Sequence, residues 1–365
     1  MKEYTLFILL FVNLIQSCTI ERKNASDEQE QTFVRTDFAK TKELKIAQEI
    51  VIPDLLNPAS FRVIHDSILI VNNQPDCDYF LELYSLKTLQ PIIQLVPKGN
   101  GPGGEMKSCW LSLHTHNCNQ FYLQDDATKT YYTVDIDSIL INRKLHILSK
   151  FRYSSEILSS AGLCMIDDEG YIGYHQWYLD NKEYNNGINS PLKFFKRNED
   201  NKKSVGDFRY FVSQVNGTQI FVNPQYGQVW SIDMHRDRIC IYNDSLRLVK
   251  IVNGPDQFSP DYTVRENRQH IPFVIFADEL NYRAYIDYYV TDKHIYLVYE
   301  GTKHFNPENM LPVEIFKLDF EGNPLCNYKV DRHIYSISID KKEQYLYGVA
   351  RSSVLKEPVF LKYEL

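Results

Sequence analysis

Two cysteines and two histidines that lie close together in the chain offer the best set of ligands for a metal ion. Cys109, His114, His116 and Cys118 supply the sulfur and nitrogen atoms that zinc prefers. His114 and His116 are two positions apart, so on a strand their side chains share one face and could approach the same ion. The alternative is that these are polar residues of an inner strand and its loops. Because no complete ligand set can be named, we predict no metal site.

A glycine-rich segment suggests a second kind of chemistry. Residues 99–104 match the pattern G-x-G-x-x-G, and Asp125 lies about twenty residues further on, as in dinucleotide-binding proteins. That pattern binds pyrophosphate only where it opens a helix, whereas residues 105–111 lead into a strand-like run. A turn between two β-units is therefore the better interpretation. The sequence also contains no G-x-S-x-G nucleophile elbow, so we predict no cofactor and no catalytic residue.

Cys18 is the one residue to which the sequence assigns a chemical modification. A short polar start and a short apolar run precede it, and this run is well below the ~20 residues that span a bilayer. Such a pattern is typical of a signal peptide, which we assign to residues 1–17. Ser17 directly before Cys18, with Leu14 and Ile15 upstream, resembles the lipobox of bacterial lipoproteins, in which the cysteine is lipidated. The alternative is an ordinary signal peptide that is cut nearby.

The composition favours sheet over helix and argues against nucleic acid as a partner. The chain has 365 residues, a net charge of −7, 26 tyrosines and 20 phenylalanines. Aromatic residues suit half-buried strands, and an acidic chain lacks the basic surface that binds nucleic acid. Six cysteines follow Cys18, scattered along the chain. We interpret most of them as small apolar residues within strands, with Cys109 and Cys118 as the nearest candidate disulfide pair.

A polar segment separates the leader from the strands. Residues 18–41 are rich in charged residues, including an acidic run at 26–31, and such a segment buries too little apolar surface to order itself. We therefore predict a tether over residues 18–41 and a folded domain over residues 42–365.

Within that domain one unit recurs: a strand, a polar turn and a second strand. The clearest copies are residues 81–86 with 91–96, 131–135 with 144–148, 238–243 with 247–252, and 313–319 with 325–330. Asn-Gly-Pro follows the first and third of these hairpins, at Asn100 and Asn253, 153 positions apart. If three units separate the two sites, each unit has about 51 residues, which suits a four-stranded propeller blade. Six such blades fit the domain.

The two ends of the domain support a closed ring. The last strand, residues 359–363, resembles the first half of the hairpin but has no partner after it. Residues 44–52 form an unpaired strand at the other end. Pairing between them would complete the last blade and leave no open sheet edge between the first and last blades. We predict an all-β, six-bladed propeller closed in this way; eight short blades or a pair of β-sandwiches are the alternatives.

Taken together, the lipobox at Ser17 and Cys18, the turn at residues 98–105 and the repeated hairpins resemble Bacteroidota lipoproteins that carry a TolB-like six-bladed β-propeller. Members of that family often have Gly-Pro-Gly-Glu-Phe at the turn, where this chain has Gly103-Gly104-Glu105-Met106. The resemblance implies a fold and a location in the bacterial cell envelope. It carries over no catalytic residue, because the shared motifs are structural.

Two functions are compatible with these features. The first is a lipid-anchored binding or scaffolding module, attached to the outer membrane through Cys18, whose partner is a protein, a peptide or a glycan. Tyrosines such as Tyr282, Tyr285, Tyr288 and Tyr289 either pack within a blade or line the face that recognises this partner. The second is a hydrolase of the lactonase or arylesterase type, which holds calcium in a propeller channel with Asp, Glu and Asn. We favour the first.

Overall fold

The computed structural model describes residues 29–52, 58–73, 77–98, 106–113, 119–157, 159–166, 170–175, 191–198, 215–266, 268, 272–276, 281–303, 311–351 and 357–365. Within these residues the chain is mostly β-strand, with a seven-residue helix, α1 (Ile136–Asn142). The prediction of an all-β fold is confirmed.

The strands form six antiparallel groups, each of which is one blade of a propeller. Three strands come first in the chain: β1 (Gln29–Thr32), β2 (Lys40–Glu43) and β3 (Ile46–Ile50). Blade 1 contains β4 (Pro58–Ile64), β5 (Ile68–Asn73), β6 (Tyr79–Ser85) and β7 (Pro91–Pro97). Blade 2 contains β8 (Trp110–Leu113), β9 (Gln120–Asp125), β10 (Thr130–Asp135) and β11 (Ile147–Arg152), and blade 3 contains β12 (Leu163–Met165), β13 (Gly170–Tyr174) and β14 (Leu192–Lys196).

The second half of the chain completes the ring. Blade 4 contains β15 (Gln219–Asn223), β16 (Gln228–Ile232), β17 (Arg238–Asn243) and β18 (Leu248–Asn253). A hairpin of β19 (Tyr262–Glu266) and β20 (Pro272–Phe276) separates it from blade 5, which contains β21 (Tyr282–Val290), β22 (Ile295–Lys303), β23 (Glu314–Leu318) and β24 (Pro324–Lys329). Blade 6 contains β25 (Ile334–Ile339), β26 (Tyr345–Arg351), β27 (Pro358–Glu364) and β3.

The ring closes where the sequence predicts. Strand β3 pairs antiparallel with β27, with Ile50 opposite Phe360 and Ile46 opposite Tyr363. Ile50, Phe360 and Tyr363 are buried, so the closing strand is also part of the core. The hairpins used to detect the repeat are the third and fourth strands of blades 1, 2, 4 and 5, with α1 lying inside the blade 2 hairpin.

The predicted tether is wrong in its second half. Residues 29–44, which we call the N-terminal belt, lie on the outer strands of two blades: β1 pairs parallel with β18, and β2 pairs parallel with β24. Residues 18–28 lie outside the described residues. The composition of the belt is polar because its strands face solvent. Its buried apolar side chains are Phe33, Phe38 and Leu44, and the two phenylalanines pack against Phe316 of blade 5.

Arg35 holds the belt by its charge. Its guanidinium donates two hydrogen bonds to the Asp256 carboxylate, at 2.7 and 3.0 Å, and one to Glu314 Oε2, at 2.6 Å. Asp256 follows blade 4, and Glu314 begins the third strand of blade 5. The belt therefore joins these two blades at the rim.

The turn Asn253-Gly254-Pro255 requires glycine at its second position for a steric reason. The buried Asp237 carboxylate lies beneath it and accepts the N–H groups of Asp256 and Gln257 at 2.7 and 2.9 Å. A Cβ at position 254 would collide with Asp237 Oδ1 and with the Tyr285 hydroxyl. The matching site at Asn100 lies outside the described residues.

Candidate functional site

A cavity of about 950 Å³ lies on the axis of the propeller, where the innermost strands of the six blades meet. Every blade contributes to its lining; Arg62, Tyr122, Cys164, Val222, Tyr289 and Ile339 represent blades 1 to 6 in order. The lining includes the turns after the innermost strands, with the exposed side chains of Asp66, Asp292 and Lys341. We call this side of the disc the turn face.

Blades 1, 5 and 6 are joined across the axis by one arginine. Arg62 Nη1 donates to the carbonyl oxygens of Phe61 and Ile337, at 2.7 and 3.4 Å, and to Ser336 Oγ at 3.3 Å. Arg62 Nη2 lies 3.6 Å from Asp287 Oδ1 in blade 5. The side chains of Arg62 and Asp287 are about nine-tenths buried, so each charge depends on the other.

Side chains also satisfy the free edges of these innermost strands. The Ile337 N–H donates to Asp287 Oδ2 at 2.8 Å, and the Val63 N–H donates to Ser338 Oγ at 2.9 Å. An innermost strand has no neighbouring strand on its axial side, so its main-chain groups need such partners. These bonds close the ring tightly over blades 5, 6 and 1.

Between blades 4 and 5 the closure is aromatic. The Tyr288 ring stacks on Phe221 at a centroid distance of 5.1 Å, and Phe221 stacks on Trp230 at 5.7 Å. The Tyr288 hydroxyl donates to the Ile220 carbonyl oxygen at 3.3 Å. Burial raises the pKa of Tyr288, so at neutral pH it acts as a neutral hydrogen-bond donor.

Blade 2 presents a row of hydroxyl side chains to the cavity. Ser112, Tyr122, Thr133 and Ser149 lie directly opposite one another on the four successive strands of the blade. All four line the cavity, and Ser149 Oγ donates to Thr133 Oγ1 at 3.1 Å. We call this set the hydroxyl ladder. It faces blade 3, where Leu163, Met165 and Ile166 form the other wall.

The charges of the described lining are distributed unevenly. Blades 5, 6 and 1 contribute the charged residues Arg62, Asp66, Asp292, Asp340 and Lys341 and the imidazole of His65. Blades 2, 3 and 4 contribute Arg197, whose guanidinium lies 5.0 Å from the centre of the Phe151 ring. The cavity is therefore polar and charged on one side, and hydroxyl-rich and apolar on the other.

The described lining contains one thiol, that of Cys164. Burial raises the pKa of the Cys164 thiol, which keeps it protonated and a poor nucleophile. Among the described residues, no three His, Cys, Asp or Glu side chains come close enough to hold a metal ion together. The calcium-dependent hydrolase alternative thus gains no support from the described part of the channel. The described lining offers a ligand hydrogen bonds, apolar contacts and, on the side of blades 5, 6 and 1, charges.

Two described residues that the sequence singled out, Cys109 and Asp125, do not line this cavity. Cys109 is buried beside β8; burial raises the pKa of its thiol, and the main-chain oxygen accepts the Asn72 amide at 3.0 Å. The other three candidate ligands, the lipidation candidate Cys18 and residues 99–104 all lie outside the described residues. Cys109, Cys164 and Cys326 are free thiols.

Asp125 has a structural role as a turn acid. Its carboxylate accepts the N–H groups of Lys107 and Ser108 at 3.0 and 3.1 Å, and the Thr128 hydroxyl at 2.8 Å. Burial raises its pKa, but these hydrogen bonds outweigh burial and the net shift is downward. The segment from Met106 leads into strand β8 and not into a helix, as predicted.

Two of the four tyrosines that were considered as a recognition surface do line the cavity, namely Tyr288 and Tyr289. Tyr285 is buried in the seam between blades 4 and 5 instead. Sequence reasoning missed Arg62 and the hydroxyl ladder. A signal for Arg62 was present, since it is a single charged residue in the apolar strand β4.

Comparison with solved structures supports the architecture. A member of the DUF4221 family from Bacteroides vulgatus ATCC 8482 is similar to 88% of this chain and 98% of its own, with a TM-score of 0.57 and 10% identity. A candidate exported protein from Bacteroides fragilis NCTC 9343 is similar over 92% and 99%, with a TM-score of 0.50 and 12% identity. A glutaminyl cyclase from Myxococcus xanthus is similar over 89% of this chain and 98% of its own, with 8% identity. Its TM-score of 0.40 is too low for an argument about function. At these identities the likeness concerns the fold alone.

A search of the curated proteins finds no match. No helix within the described ranges is both long and apolar enough to cross a membrane. The sequence profile of the TolB-like 6-blade propeller-like family matches residues 37–342, most of the domain. That match and the six observed blades agree, and the chain belongs to the TolB-like six-bladed propeller family.

Proposed function

We propose that this protein is a lipid-anchored β-propeller of the bacterial cell envelope that binds a partner in its axial cavity and is not an enzyme. The observation that carries the proposal is the cavity itself. It is large, and all six blades line it. Its described polar groups, among them Arg62 and the hydroxyl ladder, can hydrogen-bond to a ligand. The partner is a protein, a peptide or a glycan.

The location rests on the leader and on one structural relative. Residues 1–17 have the pattern of a signal peptide, and Cys18 stands where the lipobox cysteine of a lipoprotein stands. The relative from Bacteroides fragilis is described as a candidate exported protein. This protein would contact the outer membrane through acyl chains on Cys18.

The N-terminal belt sets the reach of that anchor. The described chain begins at Gln29, on the outer edge of blade 4. Ten residues separate it from Cys18, and a fully extended chain of that length spans at most about 40 Å. A lipid on Cys18 would thus hold the rim of the propeller close to the membrane surface.

The anchor can be tested on the full-length chain. Mass spectrometry of the mature protein should find acyl chains on Cys18, and the Cys18→Ala variant should lose them and leave the outer-membrane fraction. A mature protein with no lipid on Cys18 would contradict this part of the proposal.

The binding role is tested by filling the cavity. Ser112 lines it and is half-buried, so Ser112→Trp would place an indole in the space. The matched control is Ser245→Trp, at an exposed turn of blade 4. Retention of an envelope component by immobilised protein should fall at least tenfold in the first variant and stay unchanged in the second. Ester or lactone hydrolysis that Ser112→Trp abolishes would overturn the binding proposal in favour of an enzyme.

A further inference from the structure

The hydroxyl ladder has the geometry of an extended binding surface. Ser112 lies on the innermost strand of blade 2 and Ser149 on the outermost, with Tyr122 and Thr133 between them. Neighbouring strands are about 4.8 Å apart, so the ladder runs roughly 14 Å outward from the axis. All its members line one continuous cavity. The cavity therefore extends from the axis into the seam between blades 2 and 3.

The corresponding row in blade 4 shows what a closed seam requires. There Phe221, Trp230 and Ile241 lie opposite one another on the first three strands, and each is at most 4% exposed. This row packs against blade 5. In blade 2, small hydroxyl residues take three of the four positions of this row, and the space beside them is part of the cavity. The neighbouring row of the same seam is closely packed, because the rings of Tyr131, Phe151 and Tyr171 contact one another in turn.

The chemistry of the seam suits a neutral ligand with many hydroxyl groups. Serine and threonine hydroxyls both donate and accept hydrogen bonds, and Thr133, which accepts from Ser149, retains its own O–H to donate. The opposite wall is apolar at Leu163, Met165 and Ile166, and its described charge is Arg197, whose guanidinium lies over the Phe151 ring. Ile166 is 48% exposed, so the wall offers an open apolar surface to the C–H face of a sugar ring.

The same features disfavour a peptide in this seam. A peptide that adds to a sheet uses the main-chain groups of a strand edge, whereas the ladder crosses the face of a sheet whose strands are paired with one another. Recognition of charged side chains or termini needs charges, and the described charges of the cavity lie mostly on blades 5, 6 and 1.

We infer that the ligand of the cavity is a neutral oligosaccharide, bound along the hydroxyl ladder between blades 2 and 3. This inference rests on the proposed binding function and names the class of ligand.

The test uses purified full-length protein on an array that carries neutral oligosaccharides, acidic oligosaccharides and peptides. Neutral oligosaccharides should be retained by the native protein. The double variant Thr133→Val/Ser149→Ala removes two hydroxyls at little change in shape, and its affinity for the retained sugar, measured by calorimetry, should be about tenfold weaker, as expected for two lost hydrogen bonds. Thr130→Val is the matched control, on the same strand but outside the cavity lining, and its affinity should equal that of the native protein.

The outcomes separate this inference from the function on which it rests. Retention of peptides, blocked by Ser112→Trp, would overturn the oligosaccharide and keep the binding function. Retention of sugars with equal affinity by the double variant would overturn the hydroxyl ladder as the site. If the array retains no protein on any spot, or only on acidic oligosaccharides, the neutral oligosaccharide is overturned. The binding function is then decided by the Ser112→Trp experiment with the envelope component.

Discussion

The seam between blades 4 and 5 and the seam between blades 2 and 3 are built from the same strand positions and serve different ends. The first is filled by Trp230, Phe221 and Tyr288, and the N-terminal belt adds Phe33 and Phe38 at its rim. The second is packed by Tyr131, Phe151, Tyr171 and Phe195 in one row. In the next row it contains the hydroxyl ladder and part of the cavity, and we call that part the open seam. One row of a blade can thus give up close packing for recognition while the rest of the seam holds the blades together.

This difference separates two classes of mutation. Substitutions of closed-seam residues that do not line the cavity, such as Trp230, should change the free energy of unfolding and leave ligand binding in the surviving folded protein unchanged. Substitutions in the open seam should do the reverse. Four variants test that separation, from the largest expected change in stability to the smallest.

The largest loss is expected for Trp230→Ala. Trp230 is fully buried in the seam between blades 4 and 5, where its ring stacks on Phe221. Removing a buried indole costs the transfer free energy of the ring and leaves a cavity, so the free energy of unfolding should fall by about 3–5 kcal/mol. Urea denaturation followed by circular dichroism measures this. Trp110→Ala is the control, because Trp110 is 52% exposed and its loss should cost under about 0.5 kcal/mol. Equal losses in the two variants would contradict the assignment.

The seam between blades 5 and 6 should make stability depend on pH through Glu343. Burial raises the pKa of Glu343, but hydrogen bonds from Thr291, His294 and Lys317 outweigh burial and lower it to about 2. His294 Nδ1 and Lys317 Nζ lie 2.8 and 2.9 Å from Glu343 Oε2. All three partners belong to blade 5 or its turn, whereas Glu343 belongs to blade 6.

The lowered pKa of Glu343 decides how the free energy of unfolding depends on pH. A carboxylate whose pKa is lower in the folded state stabilises the fold above its ordinary pKa of 4.5, and this contribution is lost as the pH falls toward about 2. Because solvent partly screens these pairs, we expect a contribution of about 2 kcal/mol. Glu343→Gln should lower stability by this amount at pH 7 and flatten the decline between pH 4.5 and 2. The exposed Glu43→Gln is the control, and an unchanged pH profile in Glu343→Gln would refute the prediction.

Much of the architecture could be predicted from the sequence, since it is encoded by local patterns. Apolar and polar residues alternate visibly in the hairpins. Residues 44–52 and residues 359–363 each formed a strand without a partner in the sequence, and the two strands pair with each other. The N-terminal belt could not be predicted. Its strands are polar, and two phenylalanines and Arg35 find their partners only in blades 4 and 5, more than 200 residues away.

The hydroxyl ladder could not be found from the sequence for a different reason. Recognising it requires the register of four strands, and the pairing of β10 with β11 shifts between Thr133 and Val134. Helix α1 also lies between those two strands. Serine and threonine in strands separated by loops of unequal length give no periodic signal, so only the folded sheet places their side chains in one row.

A smaller effect is expected for Arg35→Ala, which removes the charge that holds the N-terminal belt. The pairs of Arg35 with Asp256 and Glu314 are partly exposed, so their loss should cost about 1 kcal/mol. Hydrogen exchange should nevertheless become much faster in residues 29–44, because the belt then depends on β1, β2 and two phenylalanines. Lys45→Ala, at an exposed position next to the belt, should leave exchange unchanged. Faster exchange spread evenly over all six blades would contradict a local role.

The smallest change in stability should come from the open seam. In Thr133→Val/Ser149→Ala both partners of one hydrogen bond are replaced by apolar groups of similar shape, and such paired replacement is close to neutral, within about 0.5 kcal/mol. Urea denaturation should therefore give nearly the same midpoint as the native protein, although this variant is the one expected to lose ligand affinity. A loss approaching that of Trp230→Ala would mean that the hydroxyls hold blades 2 and 3 together. Both seams would then serve to stabilise the fold and would differ only in polarity. The cavity between blades 2 and 3 would then result from polar packing and would not indicate a binding site.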